Sequence, residues 1–154
     1  MKIYVKKRMD NYKTYHGIAL VRLIQDGKPE SIKLFTGNNG YLINSTVYLH
    51  IKHCKKRLTP WGFTFAPEHI KELTEVKKGV NDVFIGLVCG EDGICCLSFQ
   101  ELAKLMFIGD NEKSKWVTVA RSPREKYAVI GSDGQLTYKI GDTDFPKKLF
   151  SKAK

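Results

Sequence analysis

His50 and Lys52 stand two residues apart in Val47-Tyr48-Leu49-His50-Ile51-Lys52-His53, where Val47, Leu49 and Ile51 alternate with the polar positions. Strand geometry repeats every two residues, so the imidazole and the ammonium share one face and the three aliphatic side chains share the other. Such a pair can bind an anion or move a proton. It cannot by itself hold a hard divalent cation, which needs carboxylate oxygen. A second constellation follows directly: His53, Lys55, Lys56 and Arg57, then Trp61, with no acid in the span. Lysine and arginine neutralise phosphates, and an indole offers a face for a base or a guanidinium. Arg121, Arg124 and Lys126 form a further basic turn. A solvated loop with Trp61 packed over the core accounts for the same residues without any ligand.

The elements that must position these residues can be read from periodicity and turn chemistry. Met1 to Arg8 alternates as a short strand. Tyr12, Tyr15, Ile18 or Ala19, and Leu23 share one helical face between Asp10 and Gln25, with Asp26-Gly27 as the stop; a strand from Ile18 to Ile24 is the competing reading. Ser31 to Phe35 reads as a strand, residues 37–40 as a turn, and Tyr41 to Asn44 with Val47 to His53 as a hairpin closed at Ser45-Thr46. Lys55 to Gly62 reads as a basic loop, and Phe63-Thr64-Phe65 leads into a helix with Pro67 in its first turn and Gly79 at its stop. Asp82 to Cys96 is an apolar hairpin turned at Glu91-Asp92-Gly93. Ser98 with Glu101 is a capping box opening a helix to about Met106. Lys115 to Ile140 reads as three strands, and the basic tail from Lys147 to Lys154 as frayed.

Length and composition point to a single folded domain. The chain has 154 residues, 42% hydrophobic and 27% charged, with a formal charge of +10 and a pI near 9.4. That charge favours polyanionic partners through counterion release. No apolar run is long enough to span a membrane. The charged start is not that of a secretory signal, so the expectation is a cytoplasmic protein whose Cys54, Cys89, Cys95 and Cys96 stay reduced. Of the adjacent pair Cys95-Cys96, one is expected to face the core and the other away. The cysteines form no C-x-x-C pair and no zinc spacing, and the chain has no G-x-S-x-G, Walker or H-E-x-x-H motif.

The order helix, strand, strand, strand, helix, strand over residues 10–97 resembles the core of the PD-(D/E)XK nuclease-like superfamily. The stretches that carry the resemblance are Gly37-Asn38-Asn39-Gly40-Tyr41-Leu42-Ile43, Val47 to Lys52, and Phe63-Thr64-Phe65 with its following helix; residues 98–154 lie outside it as a C-terminal helix and β extension. The resemblance implies an α+β domain with a central mixed sheet and flanking helices. It also implies a magnesium or manganese site built from an Asp near the second strand and an acid two residues before a lysine on the third. Lys52 matches that lysine, but position 50 is His and the other acid position is Asn39, Tyr41 or Leu42. A divalent ion loses about 8 kcal/mol for each carboxylate removed from about 4 Å, at an effective dielectric of about 20.

The first expectation is therefore a nucleic-acid-binding or regulatory module that has lost its catalytic acids and carries no metal. Its contacts would be Lys52, His53, Lys55, Lys56, Arg57, Trp61, Arg121, Arg124 and Lys126. An active endonuclease using Glu30 as a displaced carboxylate with His50 and Lys52, and therefore magnesium or manganese, is the alternative. A protein-interaction module whose basic surface meets an acidic protein is a third.

Overall fold

The computed structural model describes residues 11–35, 40–108 and 113–151, so the expected strand at residues 1–8 and most of the turn at 37–40 lie outside the described residues. Helix α1 (Asn11–Arg22) continues through a π turn, Leu23–Gly27, and stops at Lys28, which takes a left-handed φ of 50°. His16, Ala19 and Leu23 form its buried face; Ile18 points to solvent. Strands β1 (Ile32–Leu34), β2 (Gly40–Ile43) and β3 (Val47–Cys54) form an antiparallel meander. The β2–β3 turn includes Asn44 as well as Ser45, both at positive φ, and the Asn44 carboxamide accepts the Glu30 and Ser31 amides.

After β3 the chain forms β4 (Trp61–Phe65), then helix α2 (Pro67–Lys77), with Pro67 in its first turn where a missing amide costs nothing. β4 begins at Trp61, so the loop expected through Gly62 ends at Pro60. β5 (Asp82–Cys89) then lies parallel to β3, and β6 (Gly93–Ser98) pairs antiparallel with β5. The first sheet thus has the order β1-β2-β3-β5-β6, with β3 in its middle. The element order expected from the sequence is present, with β4 added between β3 and α2.

β4 does not join that sheet. It pairs antiparallel with β7 (Lys115–Ala120) in a second sheet completed by β8 (Ala128–Gly131) and β9 (Gly134–Gln135), so the division at residue 97 is not a structural boundary. One face of the first sheet packs Tyr48, Ile85, Leu87, Cys95 and Leu97 against the second sheet, α2 and α3 (Phe99–Leu105). The other packs Leu49, Ile51, Phe84, Val88 and Cys96 against α1 and the C-terminal segment. Cys95 and Cys96 do face opposite ways, yet both are fully buried, because the sheet is covered on both faces. The result is an α+β domain.

The capping box forms as expected: the Ser98 hydroxyl accepts the Glu101 amide and the Glu101 carboxylate accepts the Ser98 amide. The tail does not fray through residue 151. Helix α4 (Asp144–Lys147) and a 3-10 turn at Lys148–Phe150 bury Phe145 and Leu149. The Lys148 ammonium donates to the Cys96 carbonyl at 2.9 Å and to Glu101 at 3.0 Å, while the Tyr138 hydroxyl donates to the other Glu101 oxygen at 2.7 Å. Burial pushes the Glu101 carboxyl up, but the Ser98 amide, Tyr138 and Lys148 outweigh it and hold the group below the usual range. Removing this hub strands a half-buried ammonium and a helix start at once. Glu101→Ala is expected to cost about 2–4 kcal/mol in urea unfolding at pH 7. Because the folded-state pKa is lowered, that difference is present above the ordinary carboxylate pKa and shrinks as acid protonates Glu101.

Candidate nucleic-acid interface

The alternation of β3 places His50 and Lys52 on the face that packs toward α2 and the second sheet. The solvent-facing or edge position that accounts for such a pattern without chemistry does not apply: β3 is the central strand and His50 is 0% exposed. Among the described residues, neither ring nitrogen of His50 has a hydrogen-bond partner. Burial, then repulsion by Lys52, His69 and His16, lowers its pKa to about 3, so the ring is neutral at physiological pH. Lys52 is half-buried, and its ammonium lies 4.8 Å from the centre of the Phe65 ring. Burial lowers its pKa to about 8, and no carboxylate among the described residues pulls it back up.

Pairing with β2 ends at Gly40 opposite His50, and among the described residues β3 runs on to Cys54 with only β5 beside it. A cleft of about 210 Å³ opens there, lined by His16, Lys52, His53 and the β4 residues Gly62 to Thr64. His53 comes from the opposite face of β3, stacked on Tyr15 at 4.6 Å. His16 donates or accepts at 2.7 Å with the Tyr41 hydroxyl, and its pKa falls to about 4 through burial and the neighbouring His53.

This donor set does not fit magnesium or manganese. It consists of neutral imidazoles and an ammonium, and among the described residues no group of three or more acidic, histidine or cysteine side chains is placed to hold a metal ion. Glu30 does not repair it. Ile32, two residues beyond Glu30, is level with Ile43 and so with Val47, whereas Lys52 lies five residues further along β3, about 17 Å away at the rise of a strand.

The basic segments on either side of β4 are brought together instead. β4 pairs with β7 so that Trp61 opposes Val119, which sets residues 55–60 beside residues 121–126. The Arg121 amide donates to the Thr59 hydroxyl at 3.0 Å. Trp61 is 2% exposed, and its indole donates to the Lys56 carbonyl at 2.8 Å. It therefore anchors the basic loop and offers no free ring face to a base, correcting its expected stacking role. Gly90, at φ 55°, lies so close to the same carbonyl that a Cβ would overlap it. Trp61 also meets Tyr127 edge-on at 6.2 Å, and the Arg121 guanidinium lies 4.5 Å from the centre of the Tyr127 ring. Asp92 completes the assembly, pairing with Arg121 at 2.6 Å and accepting the Tyr127 hydroxyl at 2.8 Å.

Arg57, Arg121 and Arg124 line one cleft of about 530 Å³, with Lys55 and Lys56 exposed in the adjoining loop. Lys126 lies in a neighbouring hollow with Lys139. The expected contacts thus divide into an arginine cleft and a separate Lys52–His53 cleft. The roles of Asp92, Tyr127, His16 and His69 were not legible from spacing, since their partners lie on other elements. No family model, curated protein or solved structure matches the chain.

A group whose folded-state pKa is lowered to about 3 from 6.5 gains its proton more readily when unfolded. Its contribution is intact above pH 6.5 and drains away as pH falls toward 3, by an amount on the order of 5 kcal/mol. His50→Leu is expected to flatten the loss of stability in acid, measured by urea unfolding from pH 7 down to about pH 4. An unchanged slope would mean that His50 is not the buried neutral base.

Proposed function

We propose that the chain binds the backbone of a nucleic acid and does not cut it. One observation carries this reading: folding places Lys55, Lys56 and Arg57 beside Arg121 and Arg124, although more than sixty residues separate the two segments. Charge gathered on one edge of a +10 protein is matched to a line of phosphates. The order α1-β1-β2-β3-β4-α2-β5, with β4 in the second sheet and β5 parallel to β3, supports the likeness to a nuclease core. Against cleavage stands Lys52, which keeps the place of the family lysine beside a buried imidazole where that chemistry needs an acid.

Lys52 then serves as a cation at the end of β3. Leaving an ammonium half-buried and unpaired costs stability, which is acceptable where the charge meets a ligand. With its folded-state pKa lowered to about 8 from 10.5, the penalty is present below pH 8 and relieved only in strong alkali. Lys52→Met is expected to raise unfolding stability at pH 7 by on the order of 2 kcal/mol while weakening nucleic-acid binding.

The direct test is fluorescence anisotropy with labelled single-stranded and duplex oligonucleotides from 50 to 200 mM salt. Four phosphate contacts on duplex DNA give a slope of log affinity against log salt near about −3.6, and replacing both Lys55 and Lys56 by Ala should reduce its magnitude by about 1.8. Chelator should leave binding unchanged. Affinity indifferent to salt, or stoichiometric binding to an acidic protein with none to nucleic acid, would refute the reading.

A further inference from the structure

We propose that the cleft between residues 57–59 and 121–125 is a phosphomonoester site, which, resting on the nucleic-acid reading, receives the terminal phosphate of a strand. Three arginines line it, Arg57, Arg121 and Arg124. Two carboxylates, Asp92 and Glu125, line it too, but each already has a cation: Asp92 holds Arg121 and Glu125 holds Lys139. Arg57 and Arg124 have no ion pair among the described residues, so the cleft keeps two uncompensated positive charges. A phosphomonoester carries about −1.5 to −2 at neutral pH, up to twice the charge of the diester that links nucleotides within a strand.

The surroundings favour an end over an interior linkage. Arg121 is held by Asp92, by the Tyr127 ring and by the hydrogen bond its backbone amide donates to the Thr59 hydroxyl, so one wall of the cleft is set before any ligand arrives. Thr59 accepts that amide through its hydroxyl oxygen, and its proton remains to donate; Ser122 adds a second hydroxyl to the lining. Arg124 takes a left-handed φ of 67° in the turn that follows β7. A diester within a strand would bring a single charge to the two unpaired arginines, whereas a strand end brings up to about two.

The test compares one single-stranded oligonucleotide carrying a 5′-phosphate, a 3′-phosphate or neither, by anisotropy at fixed salt, with inorganic phosphate as competitor. The expected result is affinity about tenfold higher for one phosphorylated end than for the bare strand, with that preference erased in the exposed-site double variant Arg57→Ala/Arg124→Ala. Circular dichroism establishes that this variant is folded, and Arg57→Lys/Arg124→Lys should keep part of the preference. Equal affinity for all three strands overturns the terminal-phosphate inference and leaves nucleic-acid binding standing. If no strand binds, yet calorimetry detects inorganic phosphate with the wild type and not with the double variant, the phosphomonoester site stands and the nucleic-acid reading falls. Failure of every strand and of phosphate overturns both.

Discussion

Lys52 and His50 lie in a strand that is covered on both faces, and the removal of water from β3 governs what either residue can do. Burial lowers the pKa of the imidazole to about 3 and that of the ammonium to about 8. The imidazole answers by staying neutral, while the Lys52 ammonium has no anionic neighbour among the described residues and carries a standing electrostatic cost. The cost follows from topology. β3 pairs with β2 on one side and β5 on the other, α1 closes one face, and β4 with α2 closes the other. A metal would relieve nothing here, since it would add charge of the same sign. An anion reaching Lys52 through the cleft beside β4 would relieve it.

The second sheet is held to the first by a short chain of contacts that also orders the basic edge. Trp61 grips the Lys56 carbonyl, meets Tyr127, and through Tyr127 and Asp92 supports Arg121. Pre-positioning of this kind reduces the side-chain entropy lost when a phosphate binds. An arginine stacked on a ring and paired on one edge still presents its remaining donors to a ligand. The loops therefore carry the charge, while buried aromatic residues decide where it stands. Trp61 and Tyr127 are buried in the core, whereas Arg57 and Arg124 make no ion pair among the described residues.

Helices α1 to α3, the hairpins and the fold class could be read from the sequence, because their signals are local. Pro67 begins α2, and Ser98 with Glu101 begins α3 through reciprocal bonds to neighbouring amides. The period of two from Val47 to Ile51 was enough to put His50 and Lys52 on one face. The tail was misjudged, because its lysines suggested solvent, whereas Lys148 docks on Glu101, forty-seven residues earlier.

What the sequence determined by itself was the charge, the missing acids at the positions the family likeness required, and the identity of the cationic segments; these are properties of residue type and close spacing. What only the tertiary structure decided was exposure and company. It buried Trp61, set Glu30 at the far end of the sheet from Lys52, and joined Arg57 to Arg121 and Arg124 in one cleft. The physical reason is that desolvation and pairing depend on what covers a strand and what lies across a sheet. In this fold those neighbours come from β4 and β7, which are distant in sequence and adjacent in space.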